Sequence, residues 1–184
     1  MQYKLTTPCT AEDLKMLRAG DTVLLSGIVY TARDAAHKRM CEALDAGETL
    51  PFDLEGSAIY YVGPTPEKPG QVIGSAGPTT SGRMDAYSPR LLDLGNKIMI
   101  GKGKRDAAVK EAVTRNGAVY MAALGGAGAL MCQCVKTLEV IAWPDLGCEA
   151  VRRLQVEDMP LTVILDAQGG DLYESGPSAY LQTL

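Results

Sequence analysis

The stretch Thr22-Val23-Leu24-Leu25-Ser26-Gly27-Ile28-Val29-Tyr30, running directly into Thr31-Ala32-Arg33-Asp34-Ala35-Ala36-His37, decides the fold. Its first part is rich in β-branched and apolar residues and reads as a buried strand. The period then changes. Ala35, Ala36, Met40, Ala43 and Leu44 recur at roughly helical spacing, so a helix is expected over Arg33 to Asp45, with Gly47 beyond its end as a stop. A buried strand feeding a helix is the unit of an interleaved α/β domain.

The alternation continues outward. Ala58 to Val62 reads as a second strand, closed by the turn Gly63-Pro64-Thr65-Pro66. Gly74 to Gly82 is too poor in apolar periodicity for helix or strand. Ser88 and Pro89 supply an N-cap and a first-position proline for a short helix ending at Gly95. Strand Lys97 to Ile100, helix Arg105 to Arg115 with Gly117 as its stop, and strand Ala118 to Ala123 follow. Gly125 to Val135 is ambiguous, because its glycines oppose a helix that Ala127, Ala129, Leu130 and Met131 favour. Strand Leu138 to Trp143, helix Gly147 to Leu154 and strand Leu161 to Leu165 complete an α/β fold, expected as one domain over residues 1–184.

A formal net charge of −4 argues against a basic nucleic-acid binder. No stretch reaches the roughly 18 apolar residues of a membrane span. The first twenty residues carry Lys4, Glu12, Asp13, Lys15 and Arg18 and hold no apolar signal core, so a cytoplasmic location is expected. Cys9, Cys41, Cys132, Cys134 and Cys148 are odd in number and lack the paired C-x-x-C spacing of zinc or ferredoxin sites. They read as buried free thiols in a reducing compartment, and this chain is expected to bind no metal by itself.

Two segments carry chemistry. Thr31 and Asp34 stand at N-cap and N3 spacing, which marks a helix start. Arg33 would then lie in the first turn, where a cation opposes the helix dipole at a cost of a few tenths of a kcal/mol unless an anion offsets it. Free N–H groups and a guanidinium at one helix end suit a carboxylate or phosphate. His37, four residues on, shares the face of Arg33. The plainer alternative is a surface arginine and a satisfied core histidine. The second segment, Gly74-Ser75-Ala76-Gly77-Pro78-Thr79-Thr80-Ser81-Gly82-Arg83-Met84-Asp85, joins glycines that allow close backbone approach to hydroxyls and an arginine. It is no Walker loop, nor is Gly101-Lys102-Gly103-Lys104, and no dinucleotide fingerprint follows the first strand. An ordinary solvated turn and a surface Lys102 are the plainer readings.

Taken in order, GIVYTARDAAHKRM, IYYVGPTP, IGSAGPTTSGRMDAY, IGKG and WPDLGCEAV resemble the β subunit or C-terminal domain of class I fumarases and the related L-tartrate dehydratases, from about Asp21 to the end. The resemblance implies a swivelling β/β/α domain that closes over a partner domain, the α subunit, carrying a [4Fe–4S] cluster whose cysteines lie in that partner. It implies that Arg33 and Arg83 bind substrate carboxylates, that Lys102 lies near them, that Thr79 abstracts the proton, and that His37 is close by. The short N-terminal segment suggests a split rather than a fused enzyme. The implied reaction is reversible hydration of fumarate to L-malate by an α2β2 assembly. The alternatives are the same chemistry on L-tartrate, or a dicarboxylate-binding module without catalysis.

Overall fold

The computed structural model describes residues 1–124 and 126–182. Seven strands form one sheet in the order β1-β2-β3-β4-β5-β7-β6: β1 Gln2–Thr6, β2 Thr22–Thr31, β3 Ala58–Tyr60, β4 Ile98–Gly101, β5 Val119–Ala122, β6 Val135–Ala142 and β7 Val151–Leu165. Strands β2 to β5 run parallel, joined by the helices α2 Asp34–Asp45, α3 Ser88–Asp93 and α4 Ala107–Arg115. The antiparallel pairing of β2 with β7, from Thr22↔Thr162 to Thr31↔Arg152, closes β2-β3-β4-β5-β7 into a ring. Short helices α1 Ala11–Leu14 and α5 Gly128–Met131 and the terminal helix α6 Leu172–Leu181 complete the chain.

Two cores follow from the period-2 alternation of the strands. Val23, Leu25, Tyr60, Ile98, Ile100, Val119, Met121 and Leu161 fill the inside of the ring, joined by Leu14 and Leu17 in the same buried cluster. The intervening Ile59, Met99 and Tyr120 point outward, beneath Met40 of α2, Leu91 of α3 and Val109 and Val113 of α4. Each such side chain, fully buried, contributes about 1.5–3 kcal/mol relative to exposure. The long pairing of β2 and β7 is bent by a register shift between Leu25 and Gly27, where Gly27 has φ 103° and Asp158 opposite has φ 45°. A Cβ on Gly27 would collide with the backbone of Thr7, so the bend needs glycine.

Several expectations are corrected. No helix spans Gly147 to Leu154: a 3-10 segment covers Pro144–Glu149, and β7 starts at Val151. Arg33, not Thr31, is the N-cap of α2, and Asp34 is its first residue. Thr31 is fully buried; its hydroxyl donates to Ala150 O (3.3 Å) and accepts from Arg152 N (3.0 Å), tying β2 to β7. Tyr87 rather than Ser88 caps α3, because the Ser88 hydroxyl turns inward to Met84 O (2.9 Å). The ambiguous stretch resolves into α5 and a 3-10 turn at Cys132–Cys134; Gly125, like residues 183–184, lies outside the described residues. All five cysteines are free, yet only Cys9 is buried and Cys148 is exposed.

Candidate functional site

The C-terminal ends of parallel strands are where open backbone groups and loops gather, and ligands bind there in α/β sheets. Arg33 follows β2, Gly63 follows β3 and Lys102 follows β4, so adjacent parallel strands deliver these residues to the same edge of the ring. The Thr79 loop is laced across those ends. Val62 and Pro78 form an antiparallel bridge, Thr79 N donates to Tyr61 O (2.8 Å), and Thr80 bridges Lys102 in parallel. Ser81 N donates to Lys102 O (2.8 Å) while Lys102 N donates to Ser81 Oγ (3.0 Å). Tyr120 adds its hydroxyl to Ser81 Oγ (3.0 Å). Gly101 is needed under this lacing, since a Cβ there would overlap Ser81 Oγ and crowd the Tyr61 ring.

The candidate side chains differ in how they are held. Arg33 is 21% exposed, and a Cβ on Gly63 would stand 2.7 Å from its Nη1 and 3.2 Å from its Cδ, so the side chain packs against that glycine. Its Nη2 is 3.2 Å from Glu149 Oε1 and 3.9 Å from Asp34 Oδ2, and Arg83 Nη1 is 3.7 Å from the same Asp34 oxygen. Asp34 therefore stands between the two arginines. Arg33 Nε and Asp34 Oδ1 are buried without a hydrogen-bond partner. Arg83 is 57% exposed, Lys102 is exposed, and the Thr79 hydroxyl, half-buried, bonds to no described residue.

His37, expected beside the ligand, is fully buried beneath Arg33. Its Nδ1 lies 3.0 Å from Arg33 O, an acceptor, so Nδ1 carries the proton and Nε2, which has no partner, does not. Burial pushes the imidazole down to about 4, helped by the Arg105 charge and opposed by the bond to Arg33. A neutral ring that fastens the Arg33 carbonyl acts through the backbone.

The structure adds residues that spacing did not reveal. Arg105, 5% exposed, reaches Asp85 Oδ1 (2.6 Å) and Ser88 Oγ (2.8 Å) and lies over the rings of Tyr61 and Tyr120. It ties the segment carrying Arg83 to the root of α4. Glu149, 18% exposed, also accepts from Ala35 N (3.1 Å), so one of the free N–H groups expected at the α2 start is already occupied from within the chain.

A cleft of about 410 Å³ between α4 and the Asp166–Gly170 turn lies away from these side chains. Its wall is mostly apolar, and its cations are already paired, Lys110 with Asp171 and Glu174 and Arg115 with Asp93. The strand-end face has the anion chemistry: two arginines, a lysine and free hydroxyls. Among the described residues no group of three or more His, Cys, Asp or Glu could hold a metal ion, and no helix is long and apolar enough to cross a membrane. Burial, with the Asp13 charge, pushes the Cys9 thiol up to about 11, and burial also raises Cys41 and Cys134.

Comparison with known proteins gives a consistent set. The family described as "Fumarase C-terminus" matches residues 1–176. Fumarate hydratase 2 of Leishmania major is 38% identical over 168 residues, 88% of this chain and 29% of that protein. The aerobic class I fumarate hydratase of Escherichia coli is 39% identical over 152 residues, 82% of this chain and 28% of that protein. A Methanocaldococcus jannaschii protein provisionally named L(+)-tartrate dehydratase subunit beta is 41% identical over 171 residues, 90% of this chain and 88% of that protein. The chain thus spans under a third of these two fumarate hydratases and nearly all of the β subunit.

Proposed function

Because the chain belongs to the fumarase C-terminal family, we propose that it is the β subunit of an iron–sulfur-dependent hydro-lyase that interconverts fumarate and L-malate. One observation carries this reading: Arg33, Thr79, Arg83 and Lys102 are tied to one edge of the ring, with a donor set suited to a dicarboxylate. L-tartrate is a second reading, favoured by the similarity along almost the whole length of the chain named for that activity.

In the proposed reaction a 2-hydroxydicarboxylate loses hydroxide from one carbon and a proton from its neighbour. The arginines and Lys102 bind the carboxylates and stabilise the charge that builds next to the departing proton. Thr79 is the proposed proton acceptor. Its hydroxyl is a poor base at its ordinary pKa and needs a neighbour that lowers it. Nothing titratable among the described residues bonds to it, so the activating group is assigned to the partner. Asp34, now between Arg33 and Arg83, would give way to the ligand carboxylate. His37 and Arg105 hold the site from below.

A [4Fe–4S] cluster does not fit the donors of this chain: Cys132 and Cys134 are the only thiols close in sequence, and among the described residues no group of three or more His, Cys, Asp or Glu could hold a metal. We assign the cluster to a partner α subunit, while carboxylate binding and proton transfer fall to this chain's own side chains. The arginines on an open face would bind a dicarboxylate weakly until that partner excludes water. An α2β2 assembly is proposed, with sedimentation of the co-expressed pair as its check; only a 1:1 species would refute the stoichiometry. A cytoplasmic location suits the free thiols.

The test is an anaerobic assay on fumarate, malate and tartrate, with the chain alone and assembled with the cluster-bearing subunit. Activity confined to the assembly supports the reading, and Thr79→Ala should then lower kcat by about 100-fold or more. No turnover of any of these acids by an assembly with intact cluster would overturn it, and tight dicarboxylate binding by the chain alone would favour a binding module.

A further inference from the structure

We propose that Glu149 is the positioning residue that aims Arg33 at the carboxylate, an inference that rests on the reading of Arg33 as a substrate-binding group. One carboxylate makes two contacts: Oε1 lies 3.2 Å from Arg33 Nη2 and Oε2 accepts from Ala35 N at 3.1 Å. The first turn of α2 and the guanidinium at its cap are thereby fixed to the same group. With Gly63 packed against Nη1 and Glu149 beside Nη2, the arginine has little freedom to turn.

The turn that carries Glu149 is itself held. Arg152 donates from Nη2 to Gly147 O (2.8 Å) and from Nη1 to Cys148 O and Ala150 O (3.0 Å each). Thr31 ties Ala150 and Arg152 to the end of β2. A half-buried ion pair on a fixed support limits where the guanidinium can go. Asp34, at 3.9 Å and 3.7 Å from the two arginines, is the more distant partner and is shared between them, so it holds neither as closely as Glu149 holds Arg33.

The opposite role would be a competitor, with Glu149 filling the seat of the ligand carboxylate. Kinetics separate the two. In the assembled enzyme Glu149→Gln should raise the dicarboxylate KM about tenfold, in line with loss of one half-buried ion pair. Glu149→Asp should recover part of that loss. In an Arg33→Ala background Glu149→Gln should change KM less than about twofold, because nothing remains to aim. A KM that falls, or an equal loss in both backgrounds, overturns the proposal in favour of a competitor or a merely structural role.

A second measurement needs no turnover. In the full chain labelled with ¹⁵N-arginine, the buried Arg33 Nε–H should give a resolved signal that shifts and broadens in Glu149→Gln and persists in Glu149→Asp. A signal unchanged by Glu149→Gln overturns the clamp. Were the wild-type assembly inactive on all three acids, the hydro-lyase reading would fail on its own, and this spectrum would still decide whether Glu149 holds Arg33.

Discussion

Lowering the pH from 7 to 5 should cost this protein about 2 kcal/mol through one side chain. His37 is the only histidine in the chain, and burial holds it at about 4 in the fold against 6.5 in the free residue. The unfolded chain therefore takes up the proton first as the pH falls. Stability is full above about 6.5, declines below it, and levels off once the pH passes about 4. The whole difference is about 3 kcal/mol, of which single-site linkage places about 2 between pH 7 and pH 5. Carboxyls bonded to Thr10, to the N-terminal amine and to Arg115 and Arg39, those of Asp13, Asp21, Asp93 and Asp145, are held below 3.8 and titrate beneath that window. Urea unfolding at the two pH values measures the loss directly. His37→Asn keeps a donor near the Nδ1 position and cannot titrate; its stability should vary little between the same limits. Parallel declines in wild type and variant would refute the account.

Arg105→Met should lower the melting midpoint by about 10 °C, because it strands the Asp85 carboxylate in a partly buried place at a cost of about 3–5 kcal/mol. A change under about 2 °C in calorimetry would show that the pair is dispensable. Gly63→Ala should leave the fold intact and raise the dicarboxylate KM of the assembled enzyme about tenfold, since the new methyl would stand 2.7 Å from Arg33 Nη1 and push it aside. An unaltered KM would mean that the guanidinium need not pack against that glycine.

The parts of this fold that are legible in the sequence are those whose signal is local. β2 and α2 fall within a residue or so of expectation because an apolar run and a helical period meet at one point. The start of β7 reads as a helix because Ala150, Val151 and Leu154 mimic helical spacing, while the bulge at Asp158 shifts the phase of the alternation along the strand. β1 is a five-residue edge strand with no buried residue, and α6 carries Gly176 and Pro177, so neither has a strong local signal. The strand-end residues Arg33, Thr79, Arg83 and Lys102 stand in distinctive strings. Glu149 and Arg105 do not, because what makes them notable is contact with residues 114 and 20 positions away. His37 marks the limit from the other side: its spacing from Arg33 is visible in the sequence, but its burial and its contact with the arginine's carbonyl are not.

The lacing of the Thr79 loop to the ends of β3 and β4 bears on the entropy of assembly. A loop that must be ordered when two chains meet subtracts its conformational freedom from the affinity, residue by residue. In this chain Val62, Lys102 and Ser81 have already imposed that order. Docking would then immobilise chiefly the exposed side chains of Arg83 and Lys102, at about 0.5–1.5 kcal/mol each, and most of the gain from excluding water would remain as affinity.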